Sequence, residues 1–391
     1  MTNPFKPGAG RKPPYLAGRT EILHAVKTEM QQVCDDAEGM RPVVVSGLRG
    51  MGKTVLLREL ADFAKQRAWV VACVEASRNT SLATKLSQAL YLELRRIKNS
   101  ANPLKSAFDH AIAVLKSFQL KIDPTGSCSL GIDIQPAQGY ADSGDLSLDL
   151  GDLLQATGEA ARDAGTAVFL SIDELQEASK EDLTALNVAL HAIGQGSSPV
   201  PVYFIGAGLP TLPAVLADAT SYAERMFAYH SLELLSDDAV RDAYIEPTAK
   251  GGIRWEENAL AAAIEAAGGY PYFIQQCGFC ICEQIEAPGI VTSVETAAGI
   301  ALAKNELDRG LYRSRWDRTT RAGRAMMHAM ASVGSPIKLS DLAQQMGKRR
   351  ISDLSVIRDK LIHDGLIYAP ERGHVAFTVP GMDDFILRCS E

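Results

Sequence analysis

Apolar positions in this chain alternate between a strand period and a helix period. Pro42-Val43-Val44-Val45-Ser46 has the length and β-branched character of a buried strand, whereas Val55-Leu56-Leu57-Arg58-Glu59-Leu60 sets its apolar residues at helical spacing. Trp69-Val70-Val71-Ala72-Cys73-Val74 reads as a second buried strand. Leu82, Leu86, Leu90 and Leu94 then line one stripe of a helix over 82–98. Further strands are predicted at 166–172, 202–205 and 230–235, with helices over 148–164 and 181–193 between them. Strands alternating with helices predict an α/β domain, a parallel sheet flanked by helices.

Two stretches break this rhythm. Residues 1–14 are rich in Pro, Gly and basic side chains and are expected to form a flexible arm. Phe118, Leu120 and Ile122 alternate with polar residues, Pro124-Thr125-Gly126-Ser127 supplies a turn, and Leu130, Ile132 and Ile134 alternate again. That pattern predicts a β-hairpin near 117–135, inserted into a nucleotide domain spanning 15–235.

Beyond it, residues 236–315 read as a helical lid, interrupted at Gly268-Gly269-Tyr270-Pro271 where a helix stops and another starts. Residues 316–391 predict three helices, the third over 351–364 with Leu354, Ile357 and Leu361 inward. Leu366-Ile367-Tyr368 and Val375-Ala376-Phe377-Thr378-Val379 then flank the turn Glu371-Arg372-Gly373. Three helices followed by a two-stranded wing make a winged helix-turn-helix. In such a module the third helix enters the major groove while its start and the wing hold phosphates. Lys348, Arg349 and Arg350 precede that helix, Arg358 lies on it and Arg372 tips the wing, so these are the candidate contacts to double-stranded DNA. Asp353 and Asp359 on the same helix oppose that reading, and winged helices also dock proteins.

The chemistry concentrates where the first strand meets its helix. Gly47-Leu48-Arg49-Gly50-Met51-Gly52-Lys53-Thr54 is a phosphate-binding loop, the Walker A pattern, running on into Val55. Glycines let successive backbone N–H groups face a polyphosphate, and the helix N-terminus adds partial positive charge. Lys53 is placed for the β- and γ-phosphates of ATP, and Thr54 for Mg2+. The strand over 166–172 runs into Asp173-Glu174, a Walker B pattern in which the first carboxylate serves the Mg2+ shell and the second polarises the attacking water. Glu174 therefore favours ATP hydrolysis over simple nucleotide storage.

Composition narrows the class. Of 391 residues, 46% are hydrophobic and 22% charged, and no apolar run is long enough to suggest a membrane span, so a cytoplasmic location without membrane partners is expected. Residues 309–391 hold 14 Lys and Arg against 9 Asp and Glu, while the other 308 hold 26 against 38, so any nucleic-acid contact is expected at the C-terminal end. The basic run Arg309, Arg313, Arg315, Arg318, Arg321 and Arg324 is either a solvated face or part of that contact. Cys277, Cys280 and Cys282 lie on an apolar helix and read as core thiols rather than metal ligands.

Taken in order, Gly18-Arg19, Gly47 to Thr54, Asp173-Glu174, Arg225, Gly269-Tyr270-Pro271 and the C-terminal module resemble an AAA+/STAND-type ATPase related to the origin-recognition and archaeal-type ATPases. The resemblance implies adenine contacts from Gly18, Arg19 and Pro271, an arginine finger at Arg225, and ATP or ADP governing conformation or homo-oligomer assembly. For Arg225 an ordinary surface arginine paired with Glu224 or a helix neighbour is the competing account. The strand ending in Gly206-Ala207-Gly208-Leu209-Pro210 departs from the pattern, because related ATPases carry a polar phosphate sensor there. Three classes stay open: a DNA-binding ATPase, a STAND-like signalling or defence ATPase whose C-terminal module binds protein, and a nucleotide-dependent interaction protein with little turnover.

Overall fold

The computed structural model describes residues 3–99, 107–122, 135–286 and 288–389. The chain divides into two compact units. One comprises Glu21–Gly47 and Lys53–Ser231, and the other Met1–Thr20, Leu48–Gly52 and Leu232–Glu391.

The first unit is built on a five-stranded sheet in the order β2-β3-β4-β1-β5, with β1 Val43–Gly47, β2 Val70–Glu75, β3 Val168–Asp173, β4 Val202–Gly208 and β5 Ala228–Leu232. The pairs β1–β4, β2–β3 and β3–β4 are parallel, with Val43 opposite Ile205 and Glu75 opposite Asp173. Helices cover the sheet, so its inner strands are apolar nearly throughout, and every residue of β4 is buried. The helices are α1 Thr20–Asp36, α2 Lys53–Gln66, α3 Leu82–Asn99, α4 Ala107–Ile122, α5 Leu146–Asp163, α6 Lys180–Gln195, α7 Leu212–Ala219 and α8 Ala223–Met226. The order of β1, the glycine loop and α2 matches the expectation.

The expected hairpin near 117–135 is corrected in its first half. Residues 117–122 belong to α4, which buries Phe108, Ala111, Ile112, Leu115 and Phe118 at helical spacing while Leu120 is 53% exposed. Three alternating residues suggested a strand, but the longer window carries a 3.6-residue period, and burial of that stripe decides the conformation. The second half, with Leu130, Ile132 and Ile134, lies outside the described residues.

The second unit joins α9 Asp237–Ala249, α10 Glu257–Ala267, α11 Pro271–Cys282 and α12 Ser293–Leu307 with a short parallel pair, β6 Ile253–Trp255 and β7 Gly289–Val291. Gly268 ends α10 in the left-handed region, and Pro271 opens α11 at a position where its missing N–H costs nothing. The expected flexible arm is also corrected in part, because Phe5 is only 2% exposed. Its ring meets Tyr244 edge-on at 5.8 Å, and Asn3 Nδ2 donates to the carbonyl of Phe279 at 2.9 Å. Gly278 makes room: a Cβ there would come within 2.7 Å of Phe5 Cδ1. Burying one phenyl ring is worth about 2 kcal/mol, enough to hold residues a composition reading leaves loose.

After a π-turn at Asp308–Tyr312 come α13 Arg313–Asp317, α14 Arg321–Val333, β8 Ile337–Lys338, α15 Leu339–Gln345, a 3-10 turn Ile351–Leu354, α16 Ser355–His363, β9 Ile367–Tyr368, β10 His374–Phe377 and α17 Met382–Cys389. Strands β8, β10 and β9 form an antiparallel sheet in that order. The two predicted strands are present, and β8 is a third that its two residues are too few to announce. No helix among the described residues is long and apolar enough to cross a membrane.

Candidate nucleotide site

Within the sheet unit, four residues at the strand ends converge. Lys53 opens α2 and is 5% exposed, with Nζ donating to the carbonyl of Gly47 at 2.8 Å. A buried ammonium at a helix N-terminus is a costly arrangement, and it points to an anionic ligand. The hydroxyl of Thr54 donates to Asp173 Oδ2 at 2.5 Å, and the other Asp173 oxygen accepts from the backbone N–H of Glu174 at 2.9 Å. A hydroxyl and a carboxylate already in contact are hard oxygen donors of the type Mg2+ takes, and they fit the ion expected here.

Glu174 follows with left-handed backbone angles, φ 49° and ψ 37°. A non-glycine residue held there costs about 1–3 kcal/mol, and the surroundings must enforce it. A 3-10 turn, Leu175–Glu177, follows it, with Glu177 N–H donating to the Glu174 carbonyl at 2.8 Å. The side chain is held as well. Gln176 Nε2 donates to Glu174 Oε2 at 2.6 Å, and Gln176 Oε1 accepts from the backbone N–H of Leu209 at 3.0 Å. Nothing in the sequence singled out Gln176.

In the second unit the loop Leu48–Gly52 has Gly50 at φ 84° and Gly52 at φ 89°. The space where a Gly52 Cβ would sit is open to 4 Å, whereas one on Gly50 would overlap the Tyr270 hydroxyl. The Tyr270 hydroxyl donates to the carbonyl of Arg49. Arg19 Nη2 donates to the carbonyls of Glu233 at 2.8 Å and Met51 at 3.4 Å, and burial lowers the pKa of its guanidinium. Arg19 thus braces the loop in this structure. Gly18, at φ 62°, packs against Leu235 and Ala239, and Pro271 is half-buried at the start of α11.

Arg49 also reaches the C-terminal residues of its unit. A Cβ on Gly365 would lie 2.9 Å from Arg49 Nε, and the Gly365 carbonyl accepts from Arg315 Nη1 at 3.2 Å. Burial lowers the pKa of Arg315, and the cations of Arg49 and Arg318 push it the same way. Burial pushes the Tyr270 hydroxyl up to about 12. Arg315 is therefore held inward, while Arg324, partly exposed, donates to the carbonyls of Trp316 and Asp317 at 2.9 Å each. Tyr270 and Arg315 were named in the sequence only within a helix stop and a basic run; their contacts could not be foreseen there, because the partners are backbone atoms far along the chain.

The remaining candidates lie apart. Arg225 is exposed on α8 and makes no side-chain hydrogen bond or ion pair among the described residues, so the alternative pairing with Glu224 or a helix neighbour is absent there. Lys348, Arg349 and Arg350 are exposed ahead of the 3-10 turn, and Arg372 is exposed between β9 and β10. Arg358 is paired with Asp359 at 2.8 Å and Lys360 with Asp364 at 3.3 Å. Cys277, Cys280 and Cys282 are buried, and burial raises all three thiols, Cys277 and Cys282 to about 12.

Residues 15–205 match the family model described as the AAA ATPase domain, and residues 309–386 match a domain of unknown function. No curated protein matches the chain. Among solved structures it is similar to the Walker-type ATPase of Pyrococcus abyssi, with 14% identity and a TM-score of 0.59 over 98% of each chain. It is also similar to the ORC2 protein of Aeropyrum pernix in its ADPNP-ADP complexes, with 14% identity and a TM-score of 0.57 over 97% of this chain and 96% of that one. These likenesses establish the fold, a parallel sheet flanked by helices of the P-loop NTPase kind followed by a helical C-terminal region.

Proposed function

We propose that the protein binds ATP with Mg2+, hydrolyses it, and uses the nucleotide state to control how its C-terminal module engages duplex DNA. The observation that carries the first part is the convergence of Lys53, Thr54, Asp173 and Glu174 at the ends of β1 and β3. Backbone N–H groups of the glycine loop and the Lys53 ammonium would hold the phosphates, and Thr54 and Asp173 would hold the metal. Mg2+, when bound, neutralises charge on the phosphate oxygens. Glu174 is the base that orients water, because Asp173, bonded to Thr54, is placed for the metal. Arg225, exposed on its short helix, is available to a second copy of the chain as an arginine finger.

Coupling is supported inside the second unit. Tyr270 bonds the glycine loop at Arg49, and Arg49 and Arg315 both meet Gly365, one of the three residues between α16 and β9. A ligand that rearranges the loop is thereby linked to the winged module, provided it binds one arrangement more tightly. Lys348, Arg349, Arg350 and Arg372 are the phosphate contacts of this reading.

A second reading has its own observation. The cations of α16 are paired internally, and Val356 on the same helix is 82% exposed. A helix so arranged suits a protein partner, as in a STAND-like signalling or defence ATPase. Phosphate release and nucleotide titration with wild type, K53A and E174Q test the first claim: K53A should lose binding, and E174Q should bind without turnover. DNA affinity in ATP and in ADP at several salt concentrations separates the two readings. Equal, salt-insensitive affinities would remove the DNA switch.

A further inference from the structure

We infer that Gln176 is a positioning residue for Glu174, holding its carboxylate from the backbone that follows β4; this rests on Glu174 acting as the hydrolytic base. The last residues of β4 and those that follow, Gly206-Ala207-Gly208-Leu209-Pro210, offer no polar side chain toward the strand end. They offer a backbone N–H instead. Leu209 donates it to Gln176 Oε1 at 3.0 Å, and the same amide donates Nε2 to Glu174 Oε2 at 2.6 Å.

The primary amide is therefore a two-ended bracket. Accepting a hydrogen bond at its oxygen polarises the amide and strengthens the donation from its nitrogen. A donor to an ionised carboxylate is among the stronger hydrogen bonds. With one Glu174 oxygen gripped and the backbone fixed in its left-handed turn, the direction of the second oxygen is determined by geometry rather than left to rotate. That is what a base needs in order to hold a water in line, since small misplacements cost large factors in rate.

The close fit of Gly208 supports this assignment. A Cβ there would overlap Gln176 Oε1 and come within 2.8 Å of Leu212 Cδ2. The absence of a side chain at residue 208 is what allows the amide to reach the Leu209 N–H.

The test uses the full-length protein with MgATP and four variants: Q176M, G208A, E174Q and Q176M/E174Q. Q176M keeps the chain length without a donor and with only a weak thioether acceptor, and G208A displaces the amide without removing it. Both should lower kcat about tenfold or more while leaving KM and the ATP dissociation constant within twofold. In the E174Q background, where turnover is already lost, Q176M should leave the ATP dissociation constant within twofold of E174Q alone. If Q176M and G208A turn over within twofold of wild type while E174Q is inactive, the inference is wrong and the ATPase reading stands. A loss of ATP affinity equal to the loss of rate would also overturn it, by making Gln176 merely structural. If wild type and E174Q turn over equally, the hydrolytic reading fails and this inference with it.

Discussion

The hydroxyl of Tyr270 donates to the carbonyl of Arg49, fastening the start of α11 to the glycine loop within one unit. Gly50 lies beneath the same ring, so the tyrosine requires a glycine there for space as well as for its φ of 84°. Y270F should lower stability by about 1 kcal/mol, the usual net worth of one hydrogen bond. G50A should cost more, since the added carbon meets the ring and the backbone resists a positive φ. Urea midpoints of the two variants against wild type check this order, and a G50A midpoint at or above that of Y270F would contradict it.

Phe5 should matter although it stands five residues from the start. F5A should cost about 3 kcal/mol, the range for emptying a well-packed phenyl site. A chain lacking residues 1–6 should be destabilised to a similar degree. Thermal unfolding of both measures the effect, and an unchanged midpoint would show that the ring contributes nothing.

Salt dependence reads the exposed cations. If K348A/R349A/R350A removes three phosphate contacts, the slope of log affinity against log salt should fall by about 0.9 for each. R358A should change it little, because that guanidinium is already satisfied by Asp359. A larger slope change in R358A than in the triple variant would reverse the assignment.

Alkaline stability follows from the buried thiols. Cys277 and Cys282 ionise near 9.0 in an open chain but at about 12 where burial holds them neutral. Below pH 9 both states keep their protons and the contribution to stability is complete. As pH rises toward 12 only the unfolded thiols ionise, so stability falls across that window. C277A/C282A should flatten the decline between pH 9 and 11, as followed by urea midpoints.

The glycine loop, the strand before it, the helix after it and the acidic end of β3 were all legible in the chain, because each depends on neighbours within a few residues. Glycine freedom, apolar period and a strand-end carboxylate pair are local properties. The sheet order, β2-β3-β4-β1-β5, was decided by packing, as was the helical state of Phe118, Leu120 and Ile122, where three alternating residues lost to a longer buried stripe. The anchoring of Phe5 needed Gly278 and Tyr244, both more than 200 residues away in sequence. Gln176 itself, and the contacts of Tyr270 and Arg315, were invisible for a related reason. Their partners include the backbone groups of Leu209, Arg49 and Gly365, and any residue carries a backbone N–H and carbonyl, so only the fold could say which ones those side chains would meet.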